Sequence, residues 1–309
     1  MTPRDDSESA GPRRSRWSDL DRPPLNAAAL RRALVREGSL WREVDVVQRT
    51  GSTNSDLVAR AGAGGAGGLE EGVVLVAEEQ TAARGRLDRK WVAPARSGLF
   101  FSVLLRPGDA VPVERWGWLP LLTGVAVAAG LARAGGVDTA LKWPNDVLVT
   151  VGGEERKAGG ILAEAVGTAG ATGAPGTAGA PGGGGVVVGV GVNVSLRADE
   201  LPVPTAGSLA LAGAVSTDRD PLLRAMLRGL EDWYGRWRAA GGDAGACGLQ
   251  EAYAAGCATL GRVVRAELPG DRTLMGEAVA VDGDGRLVLA TEAGVQEPVG
   301  AGDIVHLRA

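Results

Sequence analysis

The stretch LKWPNDVLVTVGGEERKAGGILAEAV, residues 141–166, decides how the chain folds. TALKW and DVLVT read as two short strands, and RKAGGILAEAV as a longer one that pairs with VVVGVGVNV (186–194). Lys142 and Lys157 fall at strand ends near turns. Glycines at 159, 160, 189 and 191 let a ligand approach the backbone closely. Asn145, Asp146 and Asn193 are uncommon in strand interiors, which points to base edges, ribose or a metal ion as their partners.

Upstream, WREVDVVQ (41–48), VVLVAEE (73–79) and GLFFSVLLRP (98–107) read as strands. Gly51-Ser52-Thr53-Asn54 precedes a helix that Ser52 or Thr53 can cap. The apolar run 116–132 predicts a buried helix over 116–134, starting near Pro120. It falls short of the roughly 20 apolar residues of a membrane span. Downstream, 220–240 is amphipathic, with Leu223, Met226, Leu227, Leu230, Trp233 and Trp237 at helical spacing, so its tryptophans read as core. A short helix near 249–257 is followed by brief strands, one pair joined by the turn Gly283-Asp284-Gly285, which predict a small β-barrel. Ahead of Trp41, residues 25–38 read as a short helix ending at Gly38, and 1–24 as a polar, disordered tail. The Gly/Ala/Pro tract 167–185 reads as a flexible hairpin insertion, and 61–68 as a second such linker.

Composition removes several mechanisms. The chain has 309 residues, 45% of them apolar, enough for a sizeable core. A net charge of −4 argues against a generally nucleic-acid-binding surface. One histidine, His306, excludes His-based triads and His-ligated zinc. Cys247 and Cys257 make no metal-binding spacing and read as thiols in a reducing compartment. The first residues carry no apolar secretory core, so a cytoplasmic location is expected.

Of 33 basic residues only Lys90, Lys142 and Lys157 are lysine, and each sits in a motif-like segment. A compact ammonium meets a single phosphate or carboxylate oxygen in a way that a planar guanidinium does not. QTAARGRLDRKW (80–91) packs Arg84, Arg86, Arg89 and Lys90 into seven residues, giving a strong pull on polyphosphate or carboxylate. There is no Gly-Lys pair and hence no Walker A motif, and GVGVNV is β-patterned, which disfavours a dinucleotide fingerprint.

The segments GSTN (51–54), QTAARGRLDRKW (80–91), KWPND (142–146), KAGGILAE (157–164) and GVGVN (189–193), in this order, resemble the catalytic domain of biotin–protein ligases. The resemblance implies an α+β fold: a mixed β-sheet catalytic domain over 41–258 with helices on one side, and an SH3-like β-barrel over 259–309. The disordered tail and short helix of 1–40 leave no room for a DNA-binding domain. It also implies that biotin and ATP form biotinyl-5′-AMP, and that biotin then passes to a lysine of a biotin carboxyl carrier domain of an acyl-CoA carboxylase. No nucleic acid or membrane partner is implied, and the chain would be a monomer or weak homodimer.

By the same resemblance Ser52, Thr53, Asn54, Gln80, Gly159 and Gly160 hold biotin, and Arg84 and Arg86 cover its carboxylate and the phosphates. Arg89, Trp91, Asn145, Asp146, Gly191 and Asn193 bind the nucleotide, with Asp146 near a phosphate-borne Mg²⁺. Lys157, with Arg84 and Arg86, carries the catalysis. Three features depart from the family pattern: Ala83 and Asp88 replace loop glycines, and no aromatic residue lies between 186 and 232 to stack on adenine. The rival readings are a lipoate- or octanoyl-type ligase of the same superfamily and a biotin-responsive repressor, the latter opposed by the short segment before Trp41.

Overall fold

In the computed structural model β1 (Glu43–Val47), β2 (Val73–Ala77), β3 (Gly98–Leu105), β4 (Thr139–Lys142), β5 (Asp146–Val151), β6 (Glu154–Val166) and β7 (Gly185–Asn193) form one sheet. Residues 21–62, 69–86, 89–167, 184–268, 270, 272–300 and 302–306 are described. The expectations for the tail 1–20, for 63–68, for Asp88 and for most of the 167–185 tract fall outside them. The strand order is β1-β2-β3-β7-β6-β5-β4. Among the named strands of this sheet, only β1 and β2 pair in parallel. A parallel pair needs a crossover, and helix α2 (Thr53–Gly62) lies within the connection.

Strand alternation distributes the apolar residues over both faces. Along β7, Val186, Val188, Val190 and Val192 enter the main core. Val187 turns the other way, into a smaller cluster with Leu57 and Ala61 of α2. The main core is covered by α1 (Ala27–Leu34), α3 (Trp118–Gly135), α4 (Arg219–Ala239) and α5 (Leu249–Gly256). The mixed sheet therefore has its long helices on one side, with the short α2 added on the other. That placement brings the N-terminus of α2 to the face that carries the cavity.

Helix α3 is apolar nearly all round and is mostly buried, as a core helix must be. With its leading turn it is long and apolar enough to cross a membrane, but here it packs between α4 and the sheet. α1 stops at Leu34 rather than at Gly38. Ser39 Oγ donates to the Leu34 carbonyl at 2.9 Å, taking up an acceptor left open at the helix end. A buried ion pair ties α4 to the residue that follows β2: Arg219 Nη1 lies 2.7 Å from Glu78 Oε2, with side chains 5% and 2% exposed. Glu78 Oε1 also accepts from Leu25 N at 2.6 Å, and Arg219 donates to the Pro23 carbonyl at 2.6 Å. These bonds anchor the chain just ahead of α1.

The C-terminal strands β8 (Val263–Leu268), β9 (Arg272–Val281), β10 (Leu287–Ala290), β11 (Gln296–Val299) and β12 (Asp303–His306) form an SH3-like antiparallel sheet in the order β11-β10-β9-β8-β12. Two buried indoles dock it. Trp118 Nε1 donates to Gly283 O (2.8 Å) and Trp143 Nε1 to Gly285 O (3.0 Å), both in the β9–β10 turn. Arg262 adds a two-pronged pair to Glu155 at 2.7 and 2.9 Å. The start of β12 thereby reaches the β4–β5 turn and the site.

Candidate active site

A cavity of about 310 Å³ opens over β6 and β7, a size suited to an organic ligand. The N-terminus of α2 supplies Ser52, Thr53 and Asn54, the segment after β2 supplies Gln80, and the basic loop supplies Arg84, Arg86, Arg89, Lys90 and Trp91. Asn145 and Asp146 come from the β4–β5 turn, Lys157 and Gly160 from β6, Gly191 and Asn193 from β7, and Asp303 from β12. Gly159 does not line it. Successive strand residues face opposite sides, and a Cβ on Gly159 would meet Val147 and Val192 instead.

Lys157 reaches the cavity because β6 is irregular. It stands three residues before Gly160, which in a regular strand puts the two on opposite faces. The register shifts between the pairs Gly159↔Val147 and Lys157↔Leu148, leaving Ala158 without a partner. This extra residue turns Lys157 to the cavity side while Ala158 is fully buried. Lys157 Nζ then lies 2.5 Å from Asp146 Oδ1 and 5.7 Å from the centre of the Trp91 ring.

Gly160 and Gly191 are cross-strand partners and form a bare floor. A Cβ on either would come within 3.1 or 3.2 Å of the Trp91 ring, which lies against them. Trp91 Nε1 and Asn193 Oδ1 are buried and find no hydrogen-bond partner among the described residues. Asn193 Nδ2 is held by Gly207 O at 3.0 Å, so its orphaned oxygen is fixed in place. A buried acceptor without a donor is costly, and a ligand N–H or a cation would satisfy it.

The polar wall is built from a short chain of hydrogen bonds. Gln80 Oε1 accepts from Thr53 N (2.8 Å) and lies 3.2 Å from Thr53 Oγ1. Ser52 Oγ accepts weakly from Ser55 N at 3.4 Å, in the capping position. Asn54 Nδ2 donates to Glu164 Oε2 at 2.7 Å, and its Oδ1 accepts from Ser102 Oγ at 2.7 Å. Ser102 and Glu164 were assigned no role from sequence. Glu164 stands within the KAGGILAE segment, whereas nothing around Ser102 distinguishes it from any other residue of a buried strand.

The described flanks of the basic loop, 83–86 and 89–91, pair with each other. Gly85 N donates to Arg89 O (2.6 Å) and Trp91 N to Ala83 O (3.0 Å). Arg84 reaches Ser55 Oγ (2.9 Å) and Glu164 (3.4 Å), while Arg86 donates to Asn145 Oδ1 (3.3 Å) and Gly302 O (3.1 Å). Arg89 pairs with Asp303. Asp303 also escaped the sequence reading, because it lies in a different sheet and reaches the loop only through docking.

Among the described residues, five cations and two carboxylates line the cavity. Burial pulls the Arg86 guanidinium below its ordinary pKa, while Asp303 and Asp146 oppose the shift. Lys142 borders an adjoining pocket of about 220 Å³ with Arg89, Asp146 and Asp303. Burial lowers its pKa too, against the pull of Asp146 and with the push of Lys157. Such a surplus of partly desolvated cations favours a polyanion. Among the described residues no cluster of three or more His, Cys, Asp or Glu side chains could hold a metal by itself. Asp146 could still serve a Mg²⁺ that arrives on phosphates, the usual way that ion is held.

The family model described as Biotin/lipoate A/B protein ligase family matches residues 48–177, and the one described as Biotin protein ligase C terminal domain matches 259–307. The chain is 43% identical to the biotin--[acetyl-CoA-carboxylase] ligase of Mycobacterium tuberculosis over 293 residues, covering 94% of this chain and 98% of that one. It is 30% identical to the bifunctional ligase/repressor BirA of Bacillus spizizenii over 256 residues, which are 82% of this chain and 70% of that protein. The biotin protein ligase from Aquifex aeolicus, solved in complex with biotin and ATP, superposes with a TM-score of 0.63 at 25% identity, covering 87% of this chain and 100% of that one. The chain belongs to the biotin protein ligase family.

Proposed function

We infer that this protein is an ATP-dependent, AMP-forming ligase: it activates biotin to biotinyl-5′-AMP and transfers the biotinyl group to a lysine of a biotin carboxyl carrier domain of acyl-CoA carboxylase. The observation that carries the reading is Lys157. It is turned by a β-bulge into a cavity whose other end is the Thr53–Gln80 polar wall, in a chain 43% identical to a biotin--[acetyl-CoA-carboxylase] ligase over nearly its whole length.

In the first step a biotin carboxylate oxygen attacks the α-phosphorus of ATP, and the bond to the β-phosphate oxygen breaks. The products are the mixed anhydride biotinyl-5′-AMP and pyrophosphate. Negative charge grows on the α-phosphate oxygens, and a fixed cation aimed there lowers the barrier without proton transfer. Lys157 takes this role, with its ammonium held by Asp146. Arg84 and Arg86 flank the carboxylate and phosphates, and Arg89 meets the distal phosphates. Ser52, Thr53 and Gln80 hydrogen-bond the ureido ring, with Asn54 fixing their backing. Asn145, Asn193 and the Trp91–Gly191 surface hold the nucleotide. Mg²⁺ carried by the triphosphate would take Asp146 as its protein ligand and offset phosphate charge. In the second step the carrier lysine, as a free amine, attacks the acyl carbon; the C–O bond to AMP breaks, an amide forms and a proton is lost.

The test is pyrophosphate release with MgATP and either biotin or lipoate. Release with biotin alone is expected, whereas release with lipoate alone would assign the chain to the neighbouring branch of the superfamily.

A further inference from the structure

Glu164 splits its two carboxylate oxygens between the cavity wall and the basic loop. Oε2 accepts from Asn54 Nδ2 at 2.7 Å, and Oε1 faces Arg84 Nη2 at 3.4 Å. Asn54 is 5% exposed and has no freedom to turn. Its Nδ2 also donates to Leu162 O (3.2 Å), and its Oδ1 accepts from Ser102 Oγ (2.7 Å). Gly189 makes room for it, since a Cβ there would sit 2.2 Å from Asn54 Oδ1. Ser102 Oγ is in turn 2.8 Å from Thr53 Oγ1, whose hydroxyl supplies the proton of that contact, while the Thr53 backbone N–H donates to Gln80 Oε1 at 2.8 Å. A continuous polar chain thus runs from Gln80 through Thr53, Ser102, Asn54 and Glu164 to Arg84. One end, Gln80, precedes the basic loop, and the other, Arg84, is the loop's first arginine.

We propose that Glu164 is a positioning residue that couples Arg84 to the biotin wall, so that the loop's first arginine is held only when the wall is correctly assembled. The inference rests on the reading of this cavity as a biotin site. The chemistry requires a carboxylate. Both groups facing Glu164 are donors, and a carboxylate is the side chain that offers acceptors on both sides. A glutamine of the same shape turns an NH₂ toward either Asn54 or Arg84, setting donor against donor.

Glu164→Gln is therefore the discriminating variant. Its KM for biotin should rise about fivefold, with KM for ATP close to wild type. Arg84→Ala should raise the biotin KM as well, and the double variant should be no worse than the poorer single one, because both break the same contact. In the ligand-free protein, trypsin should cut after Arg84 faster in Glu164→Gln than in wild type. A wild-type biotin KM, an equal rise in both KM values, effects that multiply in the double variant, or unchanged cleavage after Arg84 would overturn the proposal. Loss of biotin-dependent turnover in the wild-type control would instead indict the functional reading, and the cleavage comparison, which needs no activity, would still decide the role of Glu164.

Discussion

Replacing Lys157 by alanine removes the ammonium that lies 2.5 Å from Asp146 Oδ1 above the glycine floor. Loss of one preorganised group that meets developing charge costs about 100- to 1000-fold in rate, or roughly 2.7–4 kcal/mol. The structure places the expected loss near the lower end. The Lys157 side chain is 37% exposed, so its field is partly screened. Arg86, and Arg89 at the rim, also remain to meet phosphate charge. Biotin-dependent pyrophosphate release should therefore fall about 100-fold. Folding should be nearly unaffected, because an exposed ion pair contributes at most about 1 kcal/mol. Lys157→Arg should also be impaired: Nζ lies 3.4 Å from where a Gly160 Cβ would stand, and a wider planar fork does not fit the same point. Transfer from pre-made biotinyl-AMP to the carrier should recover a large part of the activity in Lys157→Ala, since the adenylation step is bypassed. Pyrophosphate release at the wild-type rate, or an equal loss in both half-reactions, would refute the assignment of Lys157 to adenylation.

Three further outcomes follow from the fold. Deleting 168–183 joins Gly167 to Gly184 between the paired residues Val166 and Gly185; a two-residue Gly-Gly connection suits a β-hairpin, so the variant should fold and keep at least half of its activity, and a folded but inactive product would contradict this. Glu78→Ala leaves Arg219 buried without its counter-charge, which should cost about 3–5 kcal/mol in denaturant unfolding; a loss below about 1 kcal/mol would show that the pair is not the anchor argued from its burial. Burial, with Lys142 and Arg262 nearby, pushes His306 down to about 4 from its ordinary 6.5. The unfolded chain then binds the proton more readily, so stability should be full above about 6.5 and decline as pH falls through about 4. In His306→Asn that decline should flatten, and an unchanged pH profile of Tm would remove His306 as its source.

Most of the element order was legible because it rests on local patterns. The alternation of WREVDVVQ, the helical spacing in 220–240 and the apolar run of α3 are properties of neighbouring residues, and tertiary packing did not override them. The early end of helix α1 was less legible. Ser39 closing on Leu34 is a contact that propensity does not report. In the site, the motif residues gathered where their spacing around turns and glycines placed them. What escaped the sequence depended on partner strands. The side on which Lys157 emerges is fixed by a bulge opposite β5, and the same count turns Gly159 to the core while Gly160 faces the cavity. Asp303 joins the site because two tryptophans and the Arg262–Glu155 pair help to seat the second sheet on the first. α2 reaches the second face because a parallel β1–β2 pair demands a crossover, a relation invisible until the pairing is known.

The central claim is most directly tested by mass spectrometry of a biotin carboxyl carrier domain after incubation with this protein, biotin and MgATP. One biotinyl increment on a single lysine, with AMP and pyrophosphate released in equal amounts, is the predicted result. An unmodified carrier, or ATP cleaved only to ADP and phosphate, would contradict it.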